Sequence, residues 1–118
     1  MITIFDKGGG TVPREKFQTL TEQMFYILLC LREECCGMDV MERVKAMTAG
    51  RVIVGPGTLY HLLDQFCEAG MIRETKNEGR RRSYLLTAKG ETALKNEVSR
   101  MEAQMRDYRS LFGEEVTP

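Results

Sequence analysis

The sequence predicts a mainly α domain carrying a small β-hairpin, and three observations predict it. Apolar residues recur at helical spacing in four separate stretches, and Asn77-Glu78-Gly79-Arg80 stands between two short β-prone runs. Leu94, Val98, Met101, Met105, Tyr108 and Phe112 then form a seam spaced 4, 3, 4, 3, 4. At 118 residues, with 42% hydrophobic and 29% charged residues, the chain has the size and composition of one folded domain with an appendage. No apolar run approaches the roughly 18 residues of a membrane span, and the start of the chain lacks the features of a signal peptide. A cytoplasmic location without membrane association is expected.

Residues 1–18, with Gly8-Gly9-Gly10 and Pro13, read as an N-terminal arm. Thr19 and Glu22 have the spacing of a capping box, which predicts a helix after them. The apolar residues of that helix (Met24, Phe25, Tyr26, Ile27, Leu28, Leu29, Leu31) surround it, so one side is expected against its own core and another, through Phe25 and Leu29, against a second subunit. Gly37 is expected to end it. Asp39 to Met47 follows as an amphipathic helix with Val40, Met41, Val44 and Met47 on one face, and Arg51-Val52-Ile53-Val54 reads as a small strand. Leu59, Leu62, Leu63 and Phe66 predict a third helix from Pro56 or Gly57 to Ala69, with Thr58, His61, Asp64, Gln65 and Glu68 opposite. Met71–Lys76 and Arg82–Thr87 are expected to be the hairpin strands, and Thr87 to cap a last helix reaching about Leu111.

That last helix would extend about 35 Å at 1.5 Å per residue, further than so small a core can cover. A stripe at this spacing can be a core face or an intersubunit seam, and the length favours the seam. Leu94, Val98, Met101, Met105, Tyr108 and Phe112 are therefore expected, with Phe25 and Leu29, at a homodimer interface.

Formal net charge is zero, but between Arg51 and Gly90 seven Lys or Arg face four acids, with Arg80, Arg81 and Arg82 together in the hairpin. Four cysteines and the single His61 give no metal-ligand spacing, so no metal or other cofactor is expected. Cys35 and Cys36 look exposed, which leaves a redox-sensing role open beside plain packing.

Helix, helix, short strand, helix, hairpin and long helix is the order of a winged helix-turn-helix domain plus a long C-terminal dimerisation helix. The expected organisation is an arm at 1–18, the DNA-binding domain at 19–87, the dimerisation helix at 88–112 and a tail at 113–118. Gly55-Pro56-Gly57-Thr58-Leu59-Tyr60, Glu68-Ala69-Gly70-Met71-Ile72, and the run from Arg80 through Tyr84, Leu86-Thr87 and Lys89-Gly90 resemble the PadR-like transcriptional regulators over residues 20–111. The resemblance implies a homodimeric repressor, released by a small molecule or other signal, with its third helix in the major groove of operator DNA and its wing in the adjacent minor groove. Where such proteins commonly carry His-Gly-Tyr-Glu, this chain has Cys36-Gly37-Met38-Asp39, and it has no Trp with which to sandwich a flat effector.

Helix N-termini carry free N–H groups and partial positive charge, so Gly57 and Thr58 are expected to hold a phosphate, with the Thr58 hydroxyl and Tyr60 phenol as added donors. His61 and Gln65, one turn apart, are the expected base readers, and Arg80, Arg81 and Arg82 the expected phosphate or minor-groove contacts. An enzyme is not expected: no Lys follows Gly57 as in a P-loop, and Tyr60 occupies the third glycine position of a dinucleotide fingerprint. The competing reading is a winged-helix module that binds a protein without touching DNA.

Overall fold

The computed structural model describes residues 17–113, so the predicted arm and tail lie almost wholly outside the described residues. Seven elements follow one another: α1 (Glu22–Cys30), β1 (Cys35–Cys36), α2 (Gly37–Met47), α3 (Pro56–Glu68), β2 (Ile72–Glu78), β3 (Arg81–Leu86) and α4 (Ala88–Phe112). The predicted winged helix-turn-helix with a long last helix is what the chain adopts, but the third strand is β1 and not the expected Arg51–Val54. β1 pairs with β3, and the sheet is antiparallel in the order β1-β3-β2.

Thr21, not Thr19, caps α1: its backbone is extended and its Oγ1 accepts from the Met24 N–H at 3.2 Å. The choice follows from Leu20, which is buried outside the helix and donates its N–H to Glu97 Oε1 at 3.0 Å. Gly37 opens α2 and does not end α1. The chain turns at Leu31–Glu34 because Cys35 and Cys36 supply β3 with a partner, in register with Tyr84 and Ser83. Beyond them the Leu86 N–H donates to the Leu31 carbonyl at 2.8 Å. This pairing buries Cys35 and Cys36, which fits plain packing and not the exposed pair that redox sensing needs. Burial pushes the Cys35 thiol up to about 11 against the opposing pull of Arg43, which disfavours the reactive thiolate.

Arg51–Val54 forms no strand. Val52 and Val54 are buried and Ile53 exposed, as in a strand, but the backbone is held by side chains: the Thr48 hydroxyl accepts from Val52 N–H at 3.0 Å and Gln23 donates to the Ile53 carbonyl at 3.1 Å. The hairpin is longer than expected, leaving Gly79-Arg80 at its tip. Gly79 sits at φ +65°, which a glycine adopts without strain. A register shift between Glu74 and Lys76 places a bulge at Thr75.

The core joins Ile27 and Leu28 of α1 and Leu31 at its exit to Val40 and Val44 of α2, Leu59, Leu63 and Phe66 of α3, and Ile72 and Tyr84 of the sheet. Leu29 escapes it, so α1 is not enclosed all round. Thr87 caps α4 through the Gly90 N–H at 3.2 Å, as expected. Of the predicted seam, Leu94 is only 8% exposed and belongs to the chain's own core. From Val98 outward no residue of α4 is buried among the described residues.

Gly90 is where α4 meets the start of the wing. A Cβ there would stand 2.2 Å from the Met71 carbonyl oxygen and 2.7 Å from Leu86 Cδ1, and that carbonyl already accepts from the Thr87 N–H at 3.0 Å. Gly90→Ala is expected to destabilise the fold by about 1–3 kcal/mol through forced repacking, lowering Tm by roughly 5–15 °C in a thermal melt.

Glu97 is the buried carboxylate of α4. Burial alone would raise its pKa, but the Arg100 guanidinium and the Leu20 N–H outweigh it and hold the carboxyl below its ordinary 4.5. A depressed folded pKa contributes stability that is fully present above the ordinary value and is lost as pH falls through the folded one. Glu97→Gln is expected to be less stable than wild type by about 1–3 kcal/mol at pH 7, a gap that urea melts should show closing below about pH 4.

Candidate nucleic-acid interface

Three fully buried side chains on one stripe, Leu59, Leu63 and Phe66, fix the rotation of α3, and the helical period then turns Gly57, Thr58, His61 and Asp64 outward. Gln65 stands half-buried at the edge of that face. At its N-terminus, Gly55 is the cap residue and offers no side chain, Pro56 fills the first helical turn, and no acid lies in that turn. α1 and α4 differ, each having a threonine hydroxyl on its first N–H groups. The first turn of α3 therefore presents uncapped N–H groups and uncompensated partial positive charge to solvent.

Tyr60 is exposed on one side and lies along the backbone of α2 on the other. A Cβ on Gly37 would come within 2.8 Å of its Cε1 and 2.9 Å of its hydroxyl oxygen. The only histidine, His61, is on the open face, one turn from Gln65.

The three arginines of the hairpin are placed unequally. Arg80 is at the exposed tip. Arg81 donates toward Cys36 Sγ at 3.3 Å and stands 3.9 Å from Asp39 Oδ2. Arg82 donates to Glu74 Oε1 at 2.9 Å, and its guanidinium lies 5.9 Å from the Tyr84 ring centroid. The hydrogen bond it donates to Glu74, with the Tyr84 and Glu74 fields behind it, holds the Arg82 guanidinium charged more firmly still. Tyr84 is a core residue of the wing.

Arg51 and its partners were not foreseen. Arg51 pairs with Glu22, donates to the Tyr26 hydroxyl at 2.9 Å and lies 5.7 Å from that ring's centroid. With Gln23 holding Ile53, these contacts tie the segment leading into α3 to the start of α1. Their partners are 25 to 30 residues apart in sequence, beyond the reach of any local pattern.

Beyond the domain, α4 offers a second exposed surface. Val98, Met105 and Tyr108 are exposed and Met101 half-buried, while Leu111 and Phe112 reach 81% and 74% exposure. The rings of Tyr108 and Phe112 stack at 5.0 Å, and Met101, Gln104, Met105, Tyr108 and Arg109 line a groove of about 420 Å³. On α1, Phe25 is half-buried and Leu29 exposed. Among the described residues no helix is long and apolar enough to cross a membrane.

Comparison with known proteins decides the family. The profile of the transcriptional regulator PadR-like family matches residues 27–96, more than half of the chain. The chain belongs to the PadR-like family of transcriptional regulators. Members of this family are DNA-binding regulators and not enzymes, which answers the functional class expected above. No curated protein matches this regulator in sequence.

Among solved structures, a transcriptional regulator from Clostridium thermocellum superposes with a TM-score of 0.66 at 20% identity, covering 73% of this chain and 88% of its own. A PadR family transcriptional regulator from Eggerthella lenta does so with 0.63 at 20%, covering 76% and 77%. NadR in complex with 4-hydroxyphenylacetate is more distant, at 0.56 and 22%, covering 81% of this chain and 65% of its own. At these identities the likeness is one of fold.

Proposed function

We propose that this PadR-like regulator is a cytoplasmic homodimeric repressor that holds operator DNA and leaves it in response to a small molecule or other signal. The observation that best supports the DNA mode is the uncapped N-terminus of α3, set on a helix whose polar face is open, with the arginine-bearing wing beside it. Gly57 and Thr58 hold a backbone phosphate with their N–H groups, and the Thr58 hydroxyl and Tyr60 phenol add donors. These contacts set register. His61 and Gln65 offer hydrogen bonds to base edges in the major groove, and Arg80, Arg81 and Arg82 meet phosphates or the adjacent minor groove.

Exposed apolar side chains along α4 supply the reason for a second copy. Val98, Met101, Met105, Tyr108 and Phe112 continue the heptad beyond the chain's own core, and a stripe this apolar is stable in water only when covered. Leu94, buried in the chain's own core, marks where the seam stops, and Phe25 and Leu29 present the matching side of α1. Two copies related by a twofold axis would set their α3 helices toward half-sites about one DNA turn, roughly 34 Å, apart. NadR carries an aromatic carboxylate. For this chain, which has no Trp, the groove at Met101 and Met105 is the proposed place for an effector to alter the seam.

Changing Arg80, Arg81 and Arg82 together to Ala is expected to abolish binding to a promoter duplex at physiological salt while the dimer persists. Retained binding with unchanged salt dependence, measured by fluorescence anisotropy, would contradict the wing's role. Val98→Asp with Met105→Asp is expected to yield monomers in sedimentation velocity, and an intact dimer would contradict the seam.

A further inference from the structure

The wing carries its cations against its own carboxylates. Arg82 is bonded to Glu74 across the hairpin at 2.9 Å, and Arg81 lies 3.9 Å from Asp39 in the first turn of α2. Lys76 lies 3.8 Å from Glu34, in the turn before β1. Among the described residues, Arg80 has no acidic partner. Three cations near the tip are thus matched by three acids, two of them on the neighbouring segment from Glu34 to Asp39.

We propose that Glu74 and Asp39 are specificity-determining residues: they occupy Arg82 and Arg81 in the free protein and yield them only to a phosphate held in fixed register by docked α3. The inference rests on the proposed contact of the wing with DNA. A guanidinium paired with a carboxylate is locally neutral and displaces no cation from the DNA surface, so of the three wing arginines only Arg80 adds to sequence-independent attraction. Both pairs are solvent-exposed, with side-chain exposures of 43% and 29% for Arg82 and Glu74, and 63% and 57% for Arg81 and Asp39. Exposed pairs are screened and weak, so they can exchange.

On random DNA the protein finds no fixed register and the pairs persist. On the operator, the contacts of α3 hold one phosphate beside the wing at high local concentration, and the arginines exchange carboxylate for phosphate. The neutral overall charge of the chain fits the same account, because indiscriminate attraction to nucleic acid is suppressed by internal counter-charge.

The test compares wild type, Glu74→Gln, Asp39→Asn and the double variant by fluorescence anisotropy across a potassium chloride series. The probes are a random-sequence duplex and a duplex recovered by selection with the wild-type protein. Each single variant is expected to bind the random duplex about 3-fold more tightly and the double about 10-fold, with the salt slope steeper by up to about 0.9 per released arginine. The selected duplex should gain less, so the ratio between the two falls. Unchanged affinity and slope on the random duplex would overturn the inference, and so would parallel gains that leave the ratio as it was. The Arg80, Arg81 and Arg82 triple alanine variant separates the two levels. If it still binds the selected duplex with the wild-type slope, the wing contact itself is wrong; if it loses binding to that duplex while the acid variants behave as wild type, only the competition is wrong.

Discussion

Burial of the apolar stripe of α3 is the constraint on which the rest of this molecule depends. Leu59, Leu63 and Phe66 are fully buried in the core they share with α1, α2 and the sheet, and their burial sets both the depth and the rotation of the helix. At about 25 cal/mol per Å² of apolar surface, each such side chain contributes on the order of 2 kcal/mol, so rotating the helix to hide its polar face would cost several kcal/mol. Gly57, Thr58 and His61 are therefore displayed as a consequence of packing. The segment feeding α3 is fixed independently by Arg51 on Glu22 and Tyr26, so the first turn is located from both directions.

The wing and α4 are joined to that helix through one crowded corner. Met71 donates its N–H to the Phe66 carbonyl, leaving α3, and its own carbonyl accepts from Thr87, entering α4. Gly90 lies against the same carbonyl with no room for a side chain. The exit of α3, the base of the wing and the start of α4 thus meet at one residue.

Much of this was legible in the sequence, and the reason is periodicity. α3 carries apolar residues at helical spacing over about two turns and α4 over about five, and two β-prone runs flank a glycine-containing turn in the wing. β1 was not legible, because two residues cannot display a period of two and the partner, Tyr84, lies 49 positions away. The cap of α1 was placed on Thr19 by local spacing, whereas the long-range bond of Leu20 to Glu97 leaves Thr21 to cap the helix. The arginine cluster was legible as composition, but the inequality among its members was not. Only the folded chain brings Asp39 to Arg81 and sets Glu74 across from Arg82. Leu94 shows the converse limit: a heptad marks a stripe, and the stripe's inner end belongs to the domain core while its outer end is bare.

The central claim is that a rigidly packed α3 presents its uncapped N-terminus and polar face to DNA. The most direct measurement is a backbone amide chemical-shift titration of the protein with an operator duplex. The account predicts that the largest perturbations fall on Gly57, Thr58, His61 and Gln65, with a second group at Gly79 to Arg82, while Leu62 and Phe66 on the buried side move little. Perturbations concentrated on the outer half of α4, with the first turn of α3 unmoved, would contradict it.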